Sequence, residues 1–155
     1  MDKKLERRAF AQKASVRTKD DGVGLVSGHA AVFERVSLPI YDMFYEINQA
    51  GCFASALLKR ETKVQAVYAH NDSTVPLAVF RGGGQDGTLL LREDEVGLYC
   101  EYEPLDSDLG RSLIKSIARG DTDGCHSRSC RCPKTGAEHI KACRCVESLK
   151  RIFLT

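Results

Sequence analysis

Three side chains that can act as nucleophiles follow one glycine-containing turn in the sequence GDTDGCHSRSC, which begins at Gly120. Cys125, Ser127 and Ser129 belong to the residue types that attack carbonyl carbons once a neighbouring base removes their proton. Gly120 and Gly124 permit tight turns with exposed backbone N–H groups, the donors from which an oxyanion hole is built. The stretch has the residue types for acyl transfer, although glycine–aspartate turns are also common for purely structural reasons.

A general base for such a nucleophile is present in VQAVYAH, an apolar run that ends at His70 and precedes an Asn-Asp pair. This order predicts a histidine at the end of a strand, held by the sheet and accessible to solvent. The alternative is a surface histidine without a role. His29 falls in the middle of a predicted strand, which favours a structural role. His126 and His139 belong to an unusual C-terminal segment.

That segment also raises a zinc hypothesis, because thiolates and imidazoles are the ligands that zinc prefers. His139 lies among five cysteines, which are Cys125, Cys130, Cys132, Cys143 and Cys145. The Cys-x-Cys pairs lack the two to four intervening residues that normally let two thiolates chelate one tetrahedral ion. We therefore expect no metal and no other cofactor, and we keep a zinc-binding interaction module as the less favoured alternative.

Composition limits the possible partners and compartments. The 155 residues are 43% hydrophobic and carry 23 basic against 21 acidic side chains. The near-neutral balance gives little reason to expect nucleic acid as the main partner. No apolar run approaches the roughly 20 residues of a membrane helix, and the N-terminus lacks the apolar core of a secretory signal. We expect one globular domain without membrane contact, in a reducing cytoplasm where the cysteines stay thiols.

The charge balance changes at residue 125. From there to the end, seven Lys or Arg stand against Glu138 and Glu147, a net charge of +5, whereas residues 1–124 carry −3. Cys52 and Cys100 lie singly in apolar patterns of the first part and are expected to be buried. Residues 125–155 are therefore a divergent, basic, cysteine-rich tail of the same domain.

The first part of the chain has the pattern of a β-rich α+β protein. Short segments rich in β-branched or aromatic residues alternate with turn residues at 24–33, 42–48, 64–70, 76–80, 87–93 and 97–104. Strands in this order predict an antiparallel sheet or small barrel with a few helices rather than a parallel α/β sheet. Within 64–70, Val64, Ala66 and Tyr68 are expected to differ in burial from Gln65 and Val67.

Two helices interrupt the strands, a short one within residues 52–61 and a second, more strongly predicted one over 107–119. In the second helix four apolar residues share one face, opposite Arg111, Lys115 and Arg119; they are Leu109, Leu113, Ile114 and Ile117. Ser107 can cap its start and Gly120 its end.

The order of these features resembles the tailed-phage prohead maturation serine proteases. The strand GHAAVF is followed by FYEINQAGCFASAL, which is similar to the family's E-x-I-x-x-G-x-F element, and then by VYAHND, which carries the catalytic histidine in that family. Next come a D-x-x-GL strand, a D-T/S-x-x-G helix and an R-G-D turn, all found in order within residues 94–124. The resemblance covers about residues 5–124.

The resemblance implies a herpesvirus-assemblin-like, barrel-like fold, with residues 1–124 as the protease-like core. It implies a serine endopeptidase in which His70 and Ser127 are catalytic and no cofactor takes part. The implied partners are the phage major capsid protein with its scaffold region and the protease itself, through self-association and self-cleavage. The implied location is the host cytoplasm, inside assembling proheads.

The chain departs from the family at the nucleophile. In the family the turn leads into G-x-S-F-G/S-F, whereas here His126 follows Cys125, so Ser127 stands one place late and Arg128 replaces an aromatic residue. In a strand, a shift of one residue turns a side chain to the opposite face. We therefore expect activity to be impaired, and the alternative is a catalytically inactive capsid-assembly or scaffold protein.

After this segment the sequence again resembles that of the family. CVESLKRIFLT, residues 145–155, is similar to the strand that leads into the family's L-x-E-V-S segment. The Glu of that segment, a possible orienting group for the histidine, would fall just after Thr155, so we expect the chain to be truncated. A local reading-frame change or a divergent insertion would produce the disturbed residues 126–142.

Overall fold

The strands of this chain form three separate sheets in a computed structural model that describes residues 14–18, 24–36, 45–69, 73–122, 124–128, 140–143 and 151–154. The described strands are β1 (Ser15–Thr18), β2 (Gly24–Val32), β3 (Tyr45–Asn48), β4 (Lys63–Tyr68), β5 (Ala78–Arg81), β6 (Leu89–Glu93), β7 (Gly97–Tyr102), β8 (Cys125–Arg128), β9 (Ile140–Cys143) and β10 (Arg151–Leu154). The helices are α1 (Ala54–Leu58), which follows β3, and α2 (Asp108–Arg119), which follows β7.

The first sheet has the strand order β1-β2-β7-β6 and is antiparallel throughout. Between His29 and Ala31 the register of β2 against β7 shifts at a bulge. There Gly97 approaches the neighbouring strand so closely that a Cβ atom would lie 1.9 Å from the carbonyl oxygen of Ala31. Because no side chain fits in that space, glycine is required where β7 begins.

The second sheet has the order β5-β4-β10-β8, and the small third sheet pairs β3 with β9. In the second sheet β10 runs parallel to β4 and antiparallel to β8. The pairing of β3 with β9 is also parallel. The remaining strand pairs are antiparallel.

The core is formed by the two larger sheets and α2, together with Phe53 just before α1. Its fully buried large side chains include Phe53 before α1, Val26 and Leu98 from the first sheet, and Val64 and Ile152 from the second. Burial of each such side chain contributes about 1.5–3 kcal/mol relative to exposure. Since Ile152 is part of this cluster, β10 is a component of the core and not an appendage to it.

The described residues confirm a strand-rich α+β chain with two helices, but they do not form a closed barrel. The expected antiparallel arrangement is broken by two parallel pairs, which a sequence in meander order does not reveal. The expected alternation in β4 holds for buried Val64 and Ala66 around half-buried Gln65, then fails, because Val67 is buried and Tyr68 is half-buried. Ala66 and Val67 belong to opposite faces of the strand and are both buried, so both faces of β4 are covered at this point.

Helix α2 begins and ends as its sequence predicts. The Ser107 hydroxyl accepts a hydrogen bond of 3.1 Å from the Gly110 amide, and Gly120 closes the helix with a left-handed φ of 79°. Leu113 and Ile117 are buried, while Leu109 and Ile114 pack against the core from half-buried positions. Local capping and one apolar stripe therefore fix this helix.

His29 ties β2 to the turn between β6 and β7. Its Nε2 lies 2.8 Å from Oδ2 of Asp94, and Oδ1 of Asp94 accepts hydrogen bonds from the amides of Val96 and Gly97. Burial alone would raise the pKa of Asp94, but the hydrogen bonds from His29 and the two amides outweigh it and lower that pKa. The contacts of His29 are those of a structural residue.

We predict that Ser107→Ala lowers the free energy of unfolding by about 1 kcal/mol, because the amide of Gly110 loses its cap. Urea denaturation followed by circular dichroism measures the change. The matched control is Ser112→Ala, at an exposed position inside α2, where alanine is the better helix former. Equal destabilisation by both substitutions would contradict the capping role of Ser107.

Asp94→Asn is predicted to lower the free energy of unfolding by about 1 kcal/mol at neutral pH, since the charged acceptor of three hydrogen bonds is lost. The lowered pKa means that the carboxylate stabilises the fold above its ordinary value of 3.8, and this stabilisation is lost as the pH falls through the folded pKa. The difference between parent and variant should therefore shrink below about pH 3.8. Denaturation curves across this range, with Glu95→Gln as the control in the same turn, test the prediction.

Candidate functional site

Of the two residues expected to be catalytic, Ser127 belongs to the edge strand β8 of the second sheet, and His70 follows β4 in the sequence. His70 lies outside the described residues, two positions after the end of β4 at Tyr68. The chain leaves β4 through Ala69, whose positive φ of 50° breaks the extended conformation. Ser127 is the third residue of β8, and its backbone is described.

Strand β10 brings these two segments into register. Tyr68 at the end of β4 pairs with Leu154, which in turn pairs with Cys125 at the start of β8. With neighbouring strands about 4.8 Å apart, the backbones of Tyr68 and Cys125 are separated by about 10 Å. The exit of β4 and the entry of β8 therefore lie at the same end of the sheet.

Residues that pair across neighbouring strands form one row of the sheet. Ser127 belongs to a different row from Tyr68, Leu154 and Cys125. It pairs with Ile152, and Ile152 pairs with Ala66, so Ser127 is level with a residue four positions before His70. Each step along β8 from Cys125 moves the backbone about 3.4 Å away from the end at which β4 exits. Along the described strands, Cys125 and position 126 are thus nearer to that end than Ser127 is.

The turn before β8 is held by the end of α2. The amide of Gly120 donates to the carbonyl of Ile117, and the amides of Asp121 and Thr122 donate to the carbonyl of Ser116. The hydroxyls of Thr122 and Ser116 are 2.7 Å apart, and Thr122 is buried. These amides close the helix, so the expectation that the Gly120 turn presents free N–H groups is wrong for residues 120–122.

Cys125 is part of the core. Its thiol is 3.7 Å from that of Cys100 on β7, and both side chains are buried without being joined in a disulfide. The contact with Cys100, together with burial, raises the pKa of Cys125 well above its usual value. The thiol therefore stays protonated, which removes Cys125 from the candidate nucleophiles. The expected burial of Cys52 and Cys100 is confirmed.

Tyr102 completes this group of buried polar atoms. Its hydroxyl is buried without a hydrogen-bond partner among the described residues. Burial, reinforced by the thiols of Cys125 and Cys100, raises the pKa of Tyr102 well above its usual value. The sequence carries no signal for this cluster, because Cys100 and Tyr102 belong to an ordinary strand pattern and Cys125 belongs to a segment of different composition.

The contact with Cys100 also removes Cys125 from the candidate zinc ligands. Cys125 faces Cys100, while Cys130, Cys132, His139 and Cys145 lie outside the described residues. Among the residues that are described, no group of three or more His, Cys, Asp or Glu side chains is arranged to hold a metal ion. In the same part of the chain, no helix is long and apolar enough to cross a membrane.

The sequence of this chain matches the profile of a known protein family. No match was found among curated proteins, and none among solved structures. The sequence profile of the caudovirus prohead serine proteases matches residues 12–127, which include β1, β4, α2 and the first three residues of β8. Because this match covers well over half of the chain, the protein belongs to the caudovirus prohead serine protease family.

Proposed function

We propose that this chain has the architecture of a capsid maturation endopeptidase in which a serine at the start of β8 is the nucleophile and His70 is the general base. The observation that carries the proposal is the register of the second sheet, which aligns the exit of β4 with the entry of β8 through β10. The family match spans both segments. A serine peptidase needs its base and its nucleophile within hydrogen-bond reach of each other, and strand ends aligned in this way support that arrangement.

The chemistry is acyl transfer to water. The serine oxygen attacks the carbonyl carbon of a peptide bond while His70 accepts its proton and then returns it to the leaving amine. Water hydrolyses the acyl enzyme in the second half of the reaction. Backbone amides from Gly124 onward would bind the oxyanion, since the amides of residues 120–122 are already used by the cap of α2. This mechanism requires no metal or organic cofactor.

The position that suits the nucleophile best is 126. Side chains alternate along a strand, and Cys125 belongs to the face that packs in the core. A serine at position 126 would belong to the other face and to the row of Val67 and Phe153, one step closer to the exit of β4 than Ser127. The chain has histidine at this position, which supports an impaired enzyme.

The genetic code supports a reading-frame change as the origin of this displacement. The codons of Cys125 through Ser129, read from the third nucleotide of the first codon, can encode Ser-Phe-Ala-Phe. In that frame serine stands at position 126 and phenylalanine at 127, as in the family's G-x-S-F pattern. A divergent insertion is not expected to encode the family's Ser-Phe pattern in an alternative reading frame.

The substrates we propose are the major capsid protein, its scaffold region and the protease itself. Maturation proteases of this family act in phage head assembly, and the family match supports contact with capsid or scaffold proteins. The proposed site of action is the assembling prohead inside the host cell. Self-association would bring one copy within reach of another for self-cleavage.

A catalytically inactive assembly protein is the second candidate, and the identity of His126 favours it. Such a protein would keep the two larger sheets and its contacts with capsid proteins but would lack a nucleophile in the required row. It is distinguished from an enzyme by binding of capsid precursors without cleavage or active-site labelling.

The double substitution His126→Ser/Ser127→Phe is predicted to create a serine that reacts with a fluorophosphonate label, whereas the unmodified chain reacts at background level. Adding His70→Ala to the double variant should lower the labelling rate by roughly a hundredfold or more, because the general base is lost. Mass spectrometry of tryptic peptides locates the label. Cleavage of a capsid-protein precursor is then compared between the same chains.

Ser127→Ala in the unmodified chain is the control for the alternative register. Strong labelling or cleavage by the unmodified chain that Ser127→Ala abolishes would overturn the assignment to position 126 while supporting a serine peptidase. Absence of labelling in every variant, with unchanged folding by circular dichroism, would favour the inactive assembly protein.

We further expect the gene to contain a frame change close to the codon of Gly124 and a compensating change before the codon of Val146. Nucleotide sequencing across this interval is the measurement, with translation in all three frames. The expected result is a continuous alternative frame that encodes Ser-Phe at positions 126–127 and then alternating apolar residues. Stop codons throughout that frame would contradict the frame change and favour an insertion.

A further inference from the structure

Two buried thiols face each other between the two larger sheets, at the point where β8 begins. Cys100 is the fourth residue of β7 in the first sheet, and Cys125 is the first residue of β8 in the second sheet. Their sulfur atoms are 3.7 Å apart, and the two residues are only 1% and 2% exposed. The proposed peptidase mechanism uses neither thiol, so it does not account for this contact.

The two cysteines come together through their side chains and not through strand pairing. The backbone of Cys100 is paired with Gly28 on β2 and with Leu91 on β6. The backbone of Cys125 is paired with Leu154 on β10. Among the described strands, β7 and β8 belong to different sheets and are not paired with each other. A bond between the two sulfurs would therefore join two sheets that meet at this point by packing.

We propose that Cys100 and Cys125 are a redox modification site, at which a peroxide converts the two thiols into a disulfide that links the two larger sheets. A disulfide bond is about 2.05 Å long, so the sulfurs must approach each other by about 1.7 Å. Rotation of the two side chains about their Cα–Cβ bonds moves the sulfurs over such a distance. This inference goes beyond the proposed function and does not depend on it.

Hydrogen peroxide is the oxidant in this reaction. One thiol loses its proton and its sulfur attacks a peroxide oxygen, so that the O–O bond breaks, a sulfenic acid forms and one water is released. The sulfur of the second thiol then attacks the sulfenic sulfur. The S–S bond forms, the S–O bond breaks, and the departing hydroxide takes the proton of the second thiol to become water. Two thiols and one peroxide thus give one disulfide and two waters, with two electrons transferred.

The surroundings of the pair make its oxidation slow and its product stabilising. Burial and the raised pKa of Cys125 keep the thiols protonated, so a reducing cytoplasm leaves them unlinked. Once formed, the disulfide closes a loop of residues 101–124, which contains α2 and restricts the unfolded chain. Position 126 follows Cys125 directly. The cross-link therefore fixes the start of the strand that holds the proposed nucleophile position.

The test treats the full chain with hydrogen peroxide under native conditions, blocks the remaining thiols with N-ethylmaleimide in denaturant and digests the chain with trypsin without a reductant. Cys100 and Cys125 fall in tryptic peptides 93–111 and 120–128, and neither peptide contains another cysteine. Mass spectrometry should find these peptides linked, at two hydrogen masses below their sum, and dithiothreitol should separate them. When peroxide is added in urea, the yield of this link should fall roughly fivefold or more, because the unfolded chain no longer holds the two thiols together.

The matched control is Cys52→Ala, which removes another buried cysteine and should leave the link in place. Cys100→Ala should abolish it, together with the rise in melting temperature of roughly 5 °C or more that oxidation gives the unmodified chain. Absence of the link under native conditions, equal yields with and without urea, or the same rise in Cys100→Ala would overturn the proposal. The peptide assay uses the unmodified chain, so it decides the question even where a variant fails to fold. Because it needs no turnover, failure of the proposed peptidase leaves its outcome intact.

Discussion

The insertion of β10 between β4 and β8 is the constraint on which the second sheet depends. Ile152 from this strand is fully buried, so the core is incomplete without it. The strand joins β4 in parallel across more than 80 residues of sequence, which makes the pairing non-local and costly in loop-closure entropy. The end of β4 and the start of β8 have no direct pairing among the described strands, and their alignment is therefore a consequence of β10.

The second constraint on the candidate site is local in sequence and lies at the end of α2. Helix α2 ends in a left-handed glycine, and the amides of the next two residues return to its last turn. The buried Thr122 hydroxyl then joins the turn to Ser116, so the chain enters β8 from a fixed point. The cap of α2 thus fixes where β8 begins, and the pairing with β10 fixes which residue of β4 lies level with each residue of β8.

The sequence predicts the locally encoded elements well. Ser107, Gly120 and one apolar stripe define α2 almost to the residue, and short β-branched segments predict the described strands of the first part except β1. The parallel insertion of β10 could not be predicted, since a four-residue strand carries no signal for its partner. Composition assigned Cys125 to the basic, cysteine-rich tail. In the structure its thiol packs against Cys100 in the core. His70 and Ser127 were proposed from resemblance, and their roles are still predictions.

The alternation of side chains in β8 explains how family membership and activity can separate in this chain. Cys125 belongs to the core face, so stability depends on the register of β8 being kept. The same register decides whether a hydroxyl at the next position belongs to the face opposite the core. If the nucleophile belongs at position 126, as we propose, β8 can keep Cys125 in the core while the hydroxyl is lost, because neighbouring positions of a strand belong to opposite faces.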